Sequence, residues 1–210
     1  MGIIPSQGIK NLLDGIIFDV QHIRMKKTLT LVTGNENKRR EFEMLLYNFQ
    51  VEMKALDLEE VQSLDTEYIA KEKAKKAYSL LQKPVIVEDV SAHLDALEGL
   101  PGPFIKYFEK KLGDTALLRL LGEEKNRAAF IRCTCVYFDG ESLLVSVAEM
   151  KGHISREKRG EDGWGFDVCF IPEGQEKTLA EMGREEKINI FPRSLALHHL
   201  SDRLKKEGKN

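Results

Sequence analysis

The sequence lacks the features that mark several large classes of protein. No apolar run approaches the roughly 20 residues that a transmembrane helix needs. A net charge of -2 over 210 residues creates no field that would draw the chain to nucleic acid or to an anionic membrane. Three cysteines are too few, and odd in number, for a disulfide framework. We therefore expect a cytoplasmic protein without nucleic-acid or membrane partners, in which local cations hold any polyanionic ligand.

Familiar nucleotide-binding signatures are absent as well. Neither G-x-x-x-x-G-K-[ST] nor G-x-G-x-x-G after a strand occurs, which excludes an ordinary P-loop NTPase and argues against dinucleotide binding. The nucleophile motif G-x-S-x-G is also missing. The hydrophobic fraction of 42% and the charged fraction of 31% are those of an ordinary globular protein. The length suffices for one large α/β domain or for two lobes that share a core.

Strand and helix patterns alternate along the chain. Residues 28–32 form a β-branched and leucine-rich strand, and the next helix carries apolar residues at helical spacing up to Phe49. Residues 65–82 repeat the helical pattern, which Pro84 ends, and 85–87 form a short buried strand. These patterns predict a mixed α/β protein. Residues 25–210 form one unit, and residues 1–24 are an N-terminal extension of doubtful status.

The second half of the chain continues this alternation. Two strands, 127–138 and 142–149, are joined by Asp139-Gly140, which is a strong hairpin signal. A final helix is predicted, with Ser194 as its N-cap and leucines on its inner face.

Polar residues follow two of the predicted strands. Thr33, Gly34 and Asn35 follow the first strand, and with Lys38 they can cradle phosphate at the start of a helix. Taken alone, this cluster is explained more simply as a structural turn. Glu88 and Asp89 follow the strand 85–87, at the edge where open α/β sheets bind ligands. Two carboxylates there suit Mg²⁺ binding and activation of a water, and a solvated loop edge is the alternative.

Six short motifs, taken in order, resemble the inosine triphosphate pyrophosphatase family. They are T-G-N-x-x-K (33–38), V-E-D (87–89), G-L-P-G-P-F-I-K-Y-F (99–108), G-W-G-F-D (163–167), E-K (186–187) and R-x-x-A-L (193–197). Members of this family hydrolyse non-standard purine nucleoside triphosphates to the monophosphate and pyrophosphate. The resemblance extends from Met25 to about Leu200. It implies an elongated, mixed, twisted sheet flanked by helices, with a substrate cleft between two lobes. It also implies a homodimer that uses Mg²⁺, for which Mn²⁺ can substitute.

The resemblance further implies roles for individual positions. Glu60 and Asp89 fall on the metal-binding carboxylates, and Asp89, with Glu88 beside it, falls on the acid that orients or deprotonates water. Because a cation and lysines would surround Asp89, we expect its pKa to be low. The remaining substrate contacts fall on Thr33, Gly34, Asn35, Lys38, Lys73, Lys106, Trp164, Gly165, Phe166, Asp167, Lys187 and Arg193.

One departure from the family pattern concerns base recognition. Phe191 and Pro192 stand where the family has Ser-His, and proline offers neither an N–H nor a polar side chain to the purine. Phe191 either stacks on the base or packs in the core. The resemblance as a whole implies hydrolysis of inosine or xanthosine triphosphate. The departure at Phe191 and Pro192 makes an altered or relaxed base preference the first alternative. A non-catalytic nucleotide-binding regulator and a structural interaction module are the others.

Overall fold

The computed structural model describes residues 26–209, so the predicted N-terminal extension, residues 1–24, lies outside the described residues. Helices and strands alternate within the described part. The strands are β1 (Thr28–Val32), β2 (Gln50–Lys54), β3 (Val85–Leu94), β4 (Pro101–Gly102), β5 (Ala128–Phe138), β6 (Leu143–Ile154) and β7 (Phe170–Pro172). The α-helices are α1 (Glu36–Leu45), α2 (Thr66–Leu81), α3 (Ile105–Leu112), α4 (Ala116–Leu121), α5 (Arg184–Ile190) and α6 (Pro192–Lys206). Across residues 26–209, every helix is too short or too polar to cross a bilayer.

The strands form one open mixed sheet in the order β2-β1-β3-β5-β6-β7, and β4 pairs with β3 outside this path. β1 pairs in parallel with β2 and β3, whereas β3, β5, β6 and β7 pair antiparallel in turn. Asp139 and Gly140 lie in the turn between β5 and β6, as the hairpin signal predicts. The predicted mixed α/β fold is confirmed.

Apolar packing divides the sheet into two halves. In the first half, α1 and α6 cover one face through residues such as Phe42 and Leu200. The helix α2 covers the other face through Ala70, Ala74 and Ala77. These alanines are fully buried, and their small side chains let the helix lie close to the sheet. In the second half, α3, α4 and the β7 region enclose a separate cluster. The long strands β3, β5 and β6 join the halves.

The prediction that a strand ends at residue 87 was wrong, because β3 continues to Leu94. β5 pairs antiparallel with β3 along the whole of β3, so Glu88 and Asp89 lie within the sheet. On the opposite edge, β1 ends at Val32. Among the described strands, that edge of β3 has no further neighbour until β4 pairs with Ala92 and His93. The interval between β1 and β4 leaves room for a cleft beside Glu88 and Asp89.

The predicted N-cap of the last helix was also wrong. Helix α6 begins at Pro192, and Phe191 precedes it in an extended conformation. Proline is favoured at the first helical position because its fixed φ suits a helix and no helical partner needs its missing N–H. Ser194 lies inside the first turn, where its hydroxyl donates to the Ile188 carbonyl and ties α5 to α6.

Candidate active site

The interval beside β3 opens into a cavity of about 440 Å³. Its wall includes seven residues that the sequence predicts for the site: Thr33, Gly34, Lys38, Glu60, Lys73, Glu88 and Lys106. Asp57, Tyr107 and Lys110 also line it, although none of them had been predicted as a site residue. The elements that supply these residues are separated along the sequence, and four of the residues are lysines. A cavity with this lining is suited to a polyanionic ligand.

Glu88 and Asp89 are neighbours in β3, and their side chains point to opposite faces of the sheet. Glu88 lies on the face covered by α1 and α6, where its carboxylate is 2.9 Å from Lys38 Nζ and 2.6 Å from Arg193 Nε. Asp89 lies on the face covered by α2, and its Oδ2 is 4.0 Å from Lys73 Nζ. The expectation of two carboxylates acting together at one strand end is therefore corrected.

Glu88 is the centre of a buried ion-pair network. Burial alone would raise its pKa, but Arg193 and Lys38 attract the carboxylate strongly enough to lower the pKa to about 2. The Cys133 thiol donates a third hydrogen bond, with Sγ 3.2 Å from Glu88 Oε1. Arg193 also pairs with Glu41, and its side chain is only 2% exposed. Its guanidinium thus faces two carboxylates, and its assignment to base recognition stays a prediction.

On the other face, Lys73 stands between Glu60 and Asp89. Lys73 Nζ is 2.9 Å from Glu60 Oε1 and 4.0 Å from Asp89 Oδ2, and Lys106 forms an ion pair with the second oxygen of Glu60. The two predicted metal-binding carboxylates therefore lie on either side of one positive charge.

The low pKa expected for Asp89 presupposes a cation as well as lysines, and beside the lysines alone its pKa is raised. Burial raises the pKa of Asp89, and this effect outweighs the attraction of Lys73 and Lys38, while the nearby charge of Glu88 raises it further. The expectation had considered the neighbouring charges and left out the cost of removing a carboxylate from water.

The turn between β1 and α1 is organised by its own side chains. Thr33 Oγ1 accepts a hydrogen bond from the Asn35 N–H at 3.1 Å, and Asn35 Oδ1 accepts one from the Lys38 N–H at 3.3 Å. These bonds cap the first turn of α1 and place Lys38 at the cavity wall. Thr33, Gly34 and Lys38 of this capped turn line the cavity, and the binding of phosphate by the turn stays a prediction.

The glycine-aromatic loop, residues 163–167, is fixed by an internal carboxylate. Asp167 Oδ2 accepts a hydrogen bond from the Trp164 N–H at 3.0 Å and forms an ion pair with Lys187. Lys187 Nζ in turn lies 4.1 Å from the centroid of the Trp164 ring. Trp164 and Lys187 line a second cavity of about 200 Å³, together with Glu41, Asp162, Gly163, Leu179, Met182, Arg184 and Ile188. Phe166 is buried and packs in the core beneath this loop.

The structure favours core packing for Phe191. Its side chain is 5% exposed and belongs to the apolar cluster of the second half of the sheet. Its ring centroid lies 5.4 Å from Lys187 Nζ and 5.0 Å from Arg193 Cζ. The ring therefore supports two cationic side chains from below and has little surface left for a base.

Two acidic residues at the site were missed in the sequence. Glu41 follows Lys38 by three positions on α1, and Glu109 follows Lys106 by three positions on α3, so each lies on the same helix face as a predicted residue. That spacing was an available signal. What it could not reveal was the partner, because Arg193 and Phe166 are distant in the sequence.

Fold and site together define an α/β protein whose cleft, lined by lysines and carboxylates, suits a polyphosphate. Residues 29–203 match the family model of the Ham1 family. The chain therefore belongs to the Ham1 family.

Named relatives agree with this membership. Inosine triphosphate pyrophosphatase 2 of Trypanosoma cruzi is 42% identical over 172 residues, which cover 80% of this chain and 88% of the relative. The dITP/XTP pyrophosphatase of Methanopyrus kandleri is 39% identical over 173 residues, covering 81% and 92%. Among solved structures, the Ham1 protein of Staphylococcus aureus aligns with a TM-score of 0.77 at 28% identity, covering 86% of this chain and 100% of the other.

Proposed function

We propose that this chain hydrolyses a nucleoside triphosphate to the monophosphate and pyrophosphate, with inosine or xanthosine nucleotides as its substrates. One observation carries the proposal: Lys38, Lys73 and Lys106 line one cavity with Glu60, and Asp89 lies beside it, 4.0 Å from Lys73 Nζ. The names of the relatives, which include inosine triphosphate pyrophosphatase and dITP/XTP pyrophosphatase, support the substrate class.

The cleft offers a separate place to each part of the substrate. The phosphates fit the cavity with the lysines and the capped start of α1, where ammonium groups and N–H donors offset their charge. The nucleoside fits the neighbouring cavity, where Trp164 and Lys187 form one wall. Lys73 and Lys106 now pair with Glu60, and we propose that they turn to the phosphates when substrate binds.

The carboxylates of the cleft fit a divalent cation. Lys73 Nζ, held between Glu60 and Asp89, marks a position where a positive charge is stabilised from both sides. Within residues 26–209 no group of three or more metal-binding side chains occurs. Two carboxylates, completed by water and phosphate oxygens, are a usual environment for Mg²⁺. Glu60 and Asp89 would hold Mg²⁺ or Mn²⁺, which would supply charge neutralisation for the phosphates.

Asp89 has a second role in this proposal. The residue is 8% exposed and lies beside Lys73 on the α2 side of the sheet, so few water molecules can reach its carboxylate. There it orients the water that attacks the α-phosphorus and accepts a proton from it. Glu88 also lines the cavity, but Lys38 and Arg193 engage its carboxylate, so we propose that it acts indirectly by keeping Lys38 in place.

This chain departs from the family pattern at the residues that would recognise the base. Phe191 is buried and Pro192 has no donor to offer a purine oxygen, so Lys187 and Arg184 are the cationic groups at the nucleoside cavity. A site with fewer fixed hydrogen bonds to the base discriminates less between bases. We therefore propose a relaxed base preference as the second candidate.

The decisive experiment measures pyrophosphate and orthophosphate separately with Mg²⁺ and ITP, XTP, GTP, ATP, UTP and dTTP. We expect pyrophosphate with ITP and XTP, and comparable rates with other purines would favour the relaxed preference. Asp89→Asn and Glu60→Gln should each lower turnover by at least about 100-fold, because each removes a catalytic acid or metal ligand. Glu59→Gln is the matched control, since Glu59 is adjacent and exposed.

Three results would contradict the proposal. Release of orthophosphate alone would exclude attack at the α-phosphorus. Tight nucleotide binding without turnover would indicate a non-catalytic regulator. Near-normal rates in both Asp89→Asn and Glu60→Gln would show that the roles are assigned to the wrong residues.

We also propose that the chain forms a homodimer, as the family resemblance implies. An apolar cavity of about 850 Å³ lies at the other side of α3, lined by residues such as Leu97, Pro103 and Phe108. Leu64 and Leu100 border it and are 62% and 48% exposed. Exposed leucines beside an apolar cavity are typical of an association surface.

A further inference from the structure

Glu109 is a half-buried acid that the proposed reaction leaves without a role. It lies on α3, and its Oε1 accepts a hydrogen bond from the Phe166 N–H at 2.9 Å. Gly165, which precedes Phe166, has a φ of +61°, and a Cβ placed on it would lie 2.3 Å from the same oxygen. The carboxylate therefore fits closely against the backbone of the loop 163–167, and a side chain at position 165 would displace it.

Helix α3 contacts both parts of the cleft. Lys106, Tyr107 and Lys110 of this helix line the phosphate cavity. Glu109 reaches the loop that supplies Trp164 to the nucleoside cavity. Because an α-helix is rigid over two turns, the bond from Glu109 to the loop links the positions of the two cavities.

The charge of Glu109 does not stabilise the fold. Among the described residues, no lysine, arginine or histidine forms an ion pair with Glu109, although salt bridges are frequent elsewhere on the chain. Burial, with additional repulsion from Asp167 and Asp114, raises its pKa to about 7, while the Phe166 N–H and Lys38 act in the opposite direction. Because the pKa is higher in the folded state, Glu109 makes folding less favourable as the pH rises from 4.5, the ordinary pKa of a glutamate, towards 7.

We propose that Glu109 is a positioning residue, which holds the loop 163–167 against α3 and thereby sets the spacing between the nucleoside and phosphate cavities. The kinetic consequence of this role rests on the proposed function. The structural consequence does not, because the loop can be observed without substrate.

Trp164 supplies a direct readout, since it is the one tryptophan among 210 residues. Glu109→Leu removes the acceptor, and Glu109→Gln keeps an acceptor of the same shape without the charge. For Glu109→Leu we expect acrylamide quenching of Trp164 to rise about twofold and KM for ITP to rise at least about tenfold, with kcat little changed, because a hydrogen bond to a charged group is lost. Glu109→Gln should restore both quantities to within about twofold of wild type.

Asp114→Asn is the matched control. Asp114 lies near Glu109 but pairs with Lys158 at 2.6 Å and makes no hydrogen bond to the loop that the structure records. It should leave Trp164 quenching unchanged. A rise as large as that of Glu109→Leu would show that loss of any nearby negative charge loosens the loop, which would overturn the proposal.

The pH dependence tests the same bond in the folded wild type. An ionised carboxylate accepts a hydrogen bond more strongly than a neutral one, so Trp164 quenching should increase as the pH falls through about 7, the raised pKa of Glu109. The charged groups that face Glu109 are Asp167 in the loop, Asp114 before α4, Lys38 on α1 and the lysines of α3 itself. The Cys169 thiol also interacts with Glu109, and burial raises its pKa to about 12. None is a residue type that ordinarily titrates near neutral pH. Glu109→Gln should abolish the transition, and its persistence in that variant would overturn the proposal.

The remaining outcomes are also decisive. Wild-type KM and quenching in Glu109→Leu would exclude a positioning role. A raised KM with unchanged quenching would mean that Glu109 contacts the nucleotide itself, which also contradicts positioning. If no nucleotide is hydrolysed by the wild type but Glu109→Leu still loosens Trp164, the proposed function fails and the role of Glu109 stands. If Glu109→Leu does not fold, the pH transition and its loss in Glu109→Gln decide.

Discussion

At the scale of single residues, Arg193 shows how burial turns a charged side chain into a structural requirement. Glu88 and Glu41 raise the pKa of Arg193 although burial opposes them, because both carboxylates contact its guanidinium out of reach of water. Removing the arginine would leave two acids with one remaining cation, Lys38, near Glu88. Uncompensated buried charges are far more costly than an unmade surface pair.

We therefore predict that Arg193→Met lowers the free energy of unfolding by about 3–5 kcal/mol, as for other buried pairs that lose one partner. Arg132→Met is the matched control, because the pair of Arg132 with Glu149 is 34% and 40% exposed. That change should cost less than about 1 kcal/mol. Urea unfolding followed by circular dichroism measures both. Equal costs for the two variants would show that the Glu88 network contributes no more than a surface ion pair.

The residues that sequence reasoning misjudged share a physical cause. Glu88 and Asp89 looked like the end of a strand because two charges rarely occupy the middle of a buried one. Here Lys38 and Arg193 compensate one carboxylate and Lys73 lies near the other, and all three cations come from helices outside the local strand pattern. Charge compensation of this kind depends on tertiary contacts, so local patterns could not reveal it.

At the scale of elements, helix α2 begins with a well-formed N-cap. Asp65 precedes the helix, and its Oδ1 accepts hydrogen bonds from the Glu67 N–H at 2.9 Å and the Tyr68 N–H at 3.1 Å. Two of the four unpaired N–H groups at this end are thereby satisfied. Lys73 lies about two turns further along, beyond the part of the helix that frays when a cap is lost.

We predict that Asp65→Ala lowers the free energy of unfolding by about 1 kcal/mol, the usual cost of losing an N-cap. KM should stay within about twofold, because the position of Lys73 does not depend on the first turn. Thr115→Ala provides the control, since Thr115 precedes α4 without making a side-chain cap bond. It should change stability by less than about 0.5 kcal/mol, and a cost equal to that of Asp65→Ala would argue against capping as the cause.

Elements were predictable where the local pattern was strong. The apolar stripe of α2, the hairpin at Asp139-Gly140 and the strand β1 all follow from spacing and turn chemistry. The start of α6 was misassigned because Ser194 is a common N-cap residue, whereas Pro192 was the better signal. The short segments β2 and β7 are strands because they pair with β1 and β6, and no local sequence pattern specifies that pairing.

At the scale of the whole molecule, the cleft is a product of strand order. β1 and β3 are neighbours although β2 and α2 separate them in sequence, and β1 stops where β3 continues. This arrangement brings Thr33 and Lys73 to one cavity, with Asp89 beside Lys73. The sequence alone shows which residues are polar and where they stand in the motifs, and the family resemblance shows that they belong together. The opposite orientation of Glu88 and Asp89 emerges only from the length of β3.

The proposed homodimer is a property of the whole molecule, and the apolar surface near α3 makes it testable. In light scattering we expect wild-type protein to have about twice the chain mass of 23.9 kDa. Leu100→Glu should shift the mass to that of one chain, because a buried carboxylate without a partner opposes association. Leu195→Glu is the control, since Leu195 is 50% exposed against 48% for Leu100 but lies on α6, the helix that covers the opposite part of the sheet. A monomeric wild type would contradict the homodimer, whereas a dimer that only Leu195→Glu disrupts would place its interface on α6.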